Sequence, residues 1–263
     1  MTLPNTYELA LGDGRVLRYC FYGPADGVPA IFQGGSPSSR WKRPDVTATM
    51  ESSRLRLLVY DRPGYGGSTR LPGRTVAGAA DDTRVLADAY GWERFAVFGG
   101  SGGGPHALAC AARLAERVTR CAVLSGIKPG GPPREEQPVR EKTVEHSRSV
   151  MAQVTAGGPE FIGQPGPPAR EDPLAMARLR ATFADSIDGW VDDTLAFNEP
   201  WGFDPATITA PVAIWRGTND TAVPADHAAW MLDHIPGSTE HVYEGGHLPG
   251  PVTYAEIYDW LAG

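Results

Sequence analysis

Cysteine is scarce. Only Cys20, Cys110 and Cys121 occur in 263 residues, each inside an apolar run and no two at metal-ligand spacing. The odd count in apolar surroundings points to buried free thiols, and argues against a redox pair or a cysteine-held metal. Long apolar runs are missing as well: no stretch approaches the roughly 18 residues that a bilayer span requires. The first residues lack a basic region followed by an apolar run, the pattern of a secretory leader, so a cytoplasmic location is expected. Basic clusters are absent, and the net charge is −7. That disfavours a nucleic-acid partner, which would need a basic face. There are no internal repeats. What remains is the profile of a globular chain long enough for one large α/β domain with an insertion.

Segments with strand and helix character alternate through the first half. The runs 6–11 and 15–23 read as strands joined by the turn at Gly12–Gly14, and 29–33, 55–61, 94–99 and 119–126 read as further strands. Helices are expected around 76–90, where Val76, Ala79, Ala80, Thr83, Leu86, Ala87 and Tyr90 recur at helical spacing, and from Pro105 to Val118. Such alternation predicts a mostly parallel sheet with helices on both faces. Residues 128–173 break the rhythm with proline- and glycine-rich stretches around one polar helix, Val139–Val154; a second helix is expected over Leu174–Phe197. Strand, helix, strand and helix then return from 210 to 263. The division expected is a core formed by 1–127 and 204–263, with 128–203 as a helical cap insertion.

The segment "FAVFGGSGGGPHALACAA" places Ser101 among five glycines between a strand and a helix. Gly99-Gly100-Ser101-Gly102-Gly103 fits G-x-S-x-G in the strand–turn–helix context of a nucleophile elbow. Small neighbours allow strand and helix to approach while the serine takes a strained conformation, and the Gly102 N–H then points toward the same space. A phosphate-binding reading is weaker: Ser101 occupies the second glycine position of G-x-G-x-x-G, and no Gly-Lys-Ser/Thr follows. A serine hydroxyl needs a base. Of six histidines, His247 alone sits in a late loop between a strand and the last helix. An acid should orient that ring. Asp220, 27 residues before His247 and just past a strand, is the first candidate; Asp204 is the second. Asp220 also reads as an Asx-turn residue.

With these residues placed, the chain resembles the α/β-hydrolase superfamily, on "FQGGSPSSR", "YDRPGYGGS", "FGGSGGGPHALACAA", "PWGFD", "WRGTNDTAVP" and "EGGHL". The resemblance is to esterase-like members with a short cap. It implies a Ser101–His247–Asp220 triad, no cofactor or metal, and a small-molecule ester, lactone or thioester as substrate. The family usually carries His-Gly-x-Pro after the third strand. Here Gly34-Gly35-Ser36-Pro37 stands there, so the histidine is replaced by Gly34. The resemblance assigns the oxyanion N–H groups to Ser36 and Gly102; a shifted alignment gives Gly35 instead of Ser36. "DRPGYGGS" is read as mainly structural. Gly35, Phe161, Trp190 and Trp201 are the expected substrate-binding residues, with Phe183 and Phe197 as further cap aromatics. Serine at the elbow disfavours dehalogenase and epoxide-hydrolase chemistry, where the family uses aspartate. Carbon–carbon hydrolysis, a lyase reaction, a perhydrolase side activity and a non-catalytic binding module stay compatible with the fold.

Overall fold

The structure, a computed structural model, describes residues 2–156 and 173–263. Strands β1 (Tyr7–Ala10) and β2 (Val16–Tyr22) form an antiparallel hairpin, turned through Gly14 at a φ of +84°. Strands β3 (Val28–Gln33), β4 (Leu55–Tyr60), β5 (Phe95–Gly100), β6 (Val118–Leu124), β7 (Val212–Gly217) and β8 (Thr239–Tyr243) follow. They assemble in the order β1-β2-β4-β3-β5-β6-β7-β8, antiparallel at β1/β2 and β2/β4 and parallel elsewhere. The chain first builds outward from β3 to β4, then reverses to β5. The crevice at such a reversal lies beyond the C-terminal strand ends. Gly34–Ser36 leave β3 there, and Ser101 leaves β5.

Alternation along each strand divides the core in two. Ile31, Leu58, Val97, Val123 and Ile214 face one way, against α2 (Ala79–Ala89), α3 (Gly103–Arg113) and α7 (Ala225–His234). Ala30, Phe32, Leu57, Phe98, Leu124 and Trp215 face the other way, against α1 (Pro44–Glu51) and α8 (Pro251–Ala262). Helix α8 buries Tyr254, Ile257, Tyr258 and Leu261, an i, i+3, i+4, i+7 stripe. Each such side chain removed from water contributes about 1.5–3 kcal/mol. All three cysteines are free and buried.

Three differences from the sequence reading are local. Helix α1 was not foreseen. The helix expected at 105–118 begins at Gly103 and ends at Arg113, and Val118 already belongs to β6. The single helix expected over Leu174–Phe197 is two, α5 (Pro173–Phe183) and α6 (Asp188–Ala196). Between them the Asp185 N–H turns back to the Arg180 carbonyl at 2.8 Å, and Ser186 Oγ accepts from the Asp188 N–H at 3.2 Å, giving α6 a new start. With α4 (Glu136–Ala156), these helices occupy the connection between β6 and β7.

Candidate active site

Ser101 follows β5 directly, with a φ of +52°. A non-glycine residue in this region is strained and needs a surrounding that over-determines it. Here its N–H is held by the Leu124 carbonyl at 2.8 Å, and its carbonyl receives the Gly104 N–H at 2.9 Å. The glycines next to it are sterically required. A Cβ on Gly103 would lie 2.1 Å from the Gln33 carbonyl oxygen, so α3 can start against the end of β3 only without a side chain there.

The loop after β3 lies against this turn. A Cβ on Gly35 would sit 3.7 Å from the Ser101 Cβ, and one on Gly102 would meet the Ser36 hydroxyl at 2.7 Å. Both loops therefore meet at the Ser101 turn, and Gly35, Ser36, Ser101 and His247 line one cavity of about 200 Å³.

His247 Nδ1 lies 2.9 Å from Asp220 Oδ2. The Asp220 side chain is 2% exposed, and its other oxygen accepts the N–H groups of Ala222 and Val223, each at 2.9 Å. The turn N–H groups and the His247 ring thus sit on different oxygens of one carboxylate. Burial opposes ionisation of Asp220, but the Val223 N–H and the His247 ring outweigh it and hold the carboxyl below its usual range. Asp204 is instead an exposed cap, accepting the Ala206 N–H at 2.9 Å at the start of the 3₁₀ turn Pro205–Thr207. Among the described residues, no hydrogen bond joins Ser101 Oγ to His247. Such bonds are often long before a substrate closes them.

Ser125, buried at the end of β6 with a φ of +46°, lies within 3.3 Å of the His247 carbonyl oxygen, and the Tyr243 hydroxyl within 3.2 Å of the same oxygen. Sequence reasoning missed both residues. They hold the backbone of the histidine loop, a role without any local sequence signature.

A second group missed from sequence lies beneath the loop after β3. Asp193, on α6 and fully buried, takes one guanidinium from Arg62 and one from Arg74, each at 2.5 Å, and the Tyr65 hydroxyl at 2.8 Å. The Ser36 hydroxyl donates to the same carboxylate. Arg62 also donates to the Gly34 carbonyl, and to the Gly35 carbonyl and Ser36 Oγ at 3.0 Å each. His106 Nδ1 meets the Gly102 carbonyl at 2.8 Å, while its Nε2 faces Asp193 at 3.6 Å. A carbonyl only accepts, so Nδ1 carries the proton. Burial and the nearby Arg62 charge push His106 down to about 3. For Asp193, burial acts to raise the pKa, but Arg62 and Arg74 overcome it and hold the carboxyl far below its usual range. This carboxylate therefore holds the Ser36 loop directly, while the unprotonated His106 Nε2 makes no hydrogen bond with it and His106 holds only the Gly102 carbonyl.

The space opened by Gly34 is filled. A Cβ there would lie 2.7 Å from Ser38 Oγ and 3.7 Å from Lys42 Nζ. Lys42 Nζ donates to Ser38 Oγ at 2.7 Å and to the Ser39 carbonyl at 2.6 Å, above the Phe32 ring. Burial pushes the Lys42 amine down to about 7; Asp61 and Cys20 oppose that fall, and Arg62 and Arg178 add to it.

The expected substrate-binding aromatics are only partly drawn together. Phe183 lines the cavity, and Phe197 approaches Gly102. Trp190 does not line it: its ring packs on Phe183 and His146 among the α4–α6 helices. Trp201 is buried against Phe203 and Trp230 on the α7 side of the core. Phe161 lies outside the described residues. Among the described residues no group of three or more His, Cys, Asp or Glu side chains could hold a metal, and no helix is long and apolar enough to cross a membrane.

Comparison with known proteins agrees with this architecture. The sequence profile of the alpha/beta hydrolase fold matches residues 31–159. The non-heme chloroperoxidase of Streptomyces lividans is 26% identical over 252 residues, 89% of each chain. The bifunctional esterase/perhydrolase of Acinetobacter calcoaceticus is 26% identical over 228 residues, 81% of each chain. A thermophilic esterase from Thermogutta terrifontis superposes with a TM-score of 0.68 at 22% identity, over 98% of both chains. The chain has the alpha/beta-hydrolase fold.

Proposed function

We propose that this protein is a serine hydrolase that cleaves a carboxylic ester, lactone or thioester of a small molecule, without a cofactor. The observation that carries the reading is the strained Ser101 at the mouth of the cavity that His247 also lines, with His247 held by the buried Asp220. In this reading Ser101 Oγ attacks the carbonyl carbon while His247 takes its proton. Asp220 fixes the tautomer by accepting Nδ1–H and stabilises the imidazolium. The negative oxygen formed in the attack is held by the N–H groups of Gly102 and Ser36. His247 then protonates the leaving alcohol, and water resolves the acyl-enzyme by the reverse sequence. The helices α4–α6 serve as a cap, with Arg178, Thr182 and Phe183 of α5 closing one side of the cavity. The esterase named among the relatives supports the choice of bond.

A serine-directed fluorophosphonate and a panel of p-nitrophenyl esters test the reading together. The expected result is one label, on Ser101, and ester turnover that falls by at least about a thousandfold in Ser101→Ala while the fold is kept. An unlabelled Ser101 in the folded protein, or a variant within tenfold of the parent, would overturn it.

A further inference from the structure

The cavity that holds Ser101 and His247 has a charge pattern that ester cleavage alone does not call for. Lys42, Arg43 and Arg178 line it, and among the described residues no aspartate or glutamate does. This is a chain with 31 acidic and 24 basic residues, so a cavity whose described lining holds Lys42 and no carboxylate runs against the overall balance. Lys42 is the central case. Its Nζ is partly buried, stacked over Phe32, and spends two donors on Ser38 and Ser39. An ammonium has three N–H bonds, so one is left for the cavity. Among the described residues, no carboxylate lies within ion-pair distance of it, and neighbouring Asp61 is committed to Arg40. A buried cation without a counter-ion is costly unless something supplies the opposite charge. Phe32, Val46, Met50, Phe98 and Leu124 give the cavity apolar walls, beside the hydroxyls of Ser36, Ser38, Ser39 and Thr182. The cavity thus sets an ammonium beside apolar walls.

We propose that the substrate carries a free carboxylate, so that the enzyme acts on half-esters of dicarboxylic acids or on lactones bearing an acid group, with Lys42 binding that carboxylate. The proposal rests on the hydrolase reading above. It also accounts for Gly34: a histidine side chain at that position would collide with Ser38 and crowd Lys42 Nζ, so its loss opens the place where the ammonium sits.

The test compares monomethyl glutarate and monomethyl adipate with methyl pentanoate and methyl hexanoate, the neutral esters of equal acyl length, followed by pH-stat. A charge-assisted hydrogen bond to a partly buried group corresponds to about 10–100-fold in affinity. The expected result is that kcat/KM for the half-esters exceeds that for the neutral esters by about tenfold or more, and that Lys42→Met collapses this ratio toward one through KM. Lys42→Arg, which keeps the charge, should retain part of the preference. The ratio is insensitive to general damage to the loop, because damage lowers both substrates. Glutarate binding by calorimetry is measured alongside, in the parent, in Ser101→Ala and in Lys42→Met. Binding that survives Ser101→Ala and weakens about tenfold in Lys42→Met supports the carboxylate site whether or not the esters turn over. Neutral esters hydrolysed as well as half-esters in a Ser101-dependent reaction would overturn the carboxylate proposal and leave the hydrolase reading standing. Absence of glutarate binding, or tighter binding of inorganic phosphate, would overturn it as well.

Discussion

Replacing Asp193 with asparagine removes one negative charge from a place that water does not reach. The Arg62 and Arg74 side chains are 3% and 4% exposed, so neither guanidinium can turn to solvent when its partner is lost. Breaking a buried pair by removing one partner costs about 3–5 kcal/mol, because the other charge stays behind uncompensated. Against a total stability of roughly 5–15 kcal/mol, Asp193→Asn should still fold in the cold but unfold at much lower urea. Its deficit has a pH signature. The folded carboxyl is held far below its ordinary value of 3.8, so its contribution is complete above that value and is lost as pH falls further. The gap between parent and variant should therefore be full at neutral pH and narrow in acid. Turnover should drop roughly 10–100-fold, since Ser36 loses its anchor and the proposed oxyanion geometry tolerates little displacement. A triple variant, Asp193→Leu with Arg62→Met and Arg74→Met, separates the two effects. It buries no charge and should regain much of the stability, but Arg62 no longer holds the Gly34 and Gly35 carbonyls, so activity should stay low. A loss below about 1 kcal/mol in Asp193→Asn, with kcat unchanged, would refute the account.

Asp220→Asn should lower kcat by several orders of magnitude, because an amide presents the wrong partner to the His247 Nδ1–H, while Asp204→Asn should stay near the parent; steady-state kinetics on one ester decide the ranking. His106 is held down to about 3 from an ordinary value of 6.5, so between these pH values the unfolded chain takes up a proton that the folded one refuses. Stability from this group is intact above 6.5 and declines by about 1.4 kcal/mol per pH unit below it, and urea titrations of His106→Gln should show that much less slope between pH 6 and 4.

What the sequence made legible depended on distance along the chain. The strands of the sheet centre are continuous apolar runs bounded by glycine or proline, and the elbow announces itself through glycines within three residues of Ser101. The partners of Asp193 carry no such mark. Ser36 is 157 residues away and Arg62 is 131, and each reads locally as an ordinary loop residue. Helix α1 was invisible for another reason: Val46 and Met50, its two buried apolar residues, are too few to set a period in an eight-residue segment. The break after Phe183 was written in Asp185-Ser186, but apolar residues on both sides kept in helical step and masked it. The aromatic residues of the cap misled because large side chains fill interiors more often than pockets, as Trp190 and Trp201 do.

The approach of α6 to the loop after β4 limits how this protein can be re-engineered. The Gly189 N–H donates to the Gly64 carbonyl at 3.1 Å, and a Cβ on Gly189 would lie 2.4 Å from the Tyr65 ring. A chimera that borrows the helices between β6 and β7 from a relative, in order to change substrate range, inherits whatever residue that relative has here. Any side chain would push the graft off Tyr65 and take the carboxylate of residue 193 away from Arg62 and Arg74. The transferable unit is therefore not the inserted helices alone. It is those helices together with Ser36, Arg62, Gly64, Tyr65, Arg74 and His106, and a cap library for this scaffold should vary α4 and α5 while leaving 188–193 as they are.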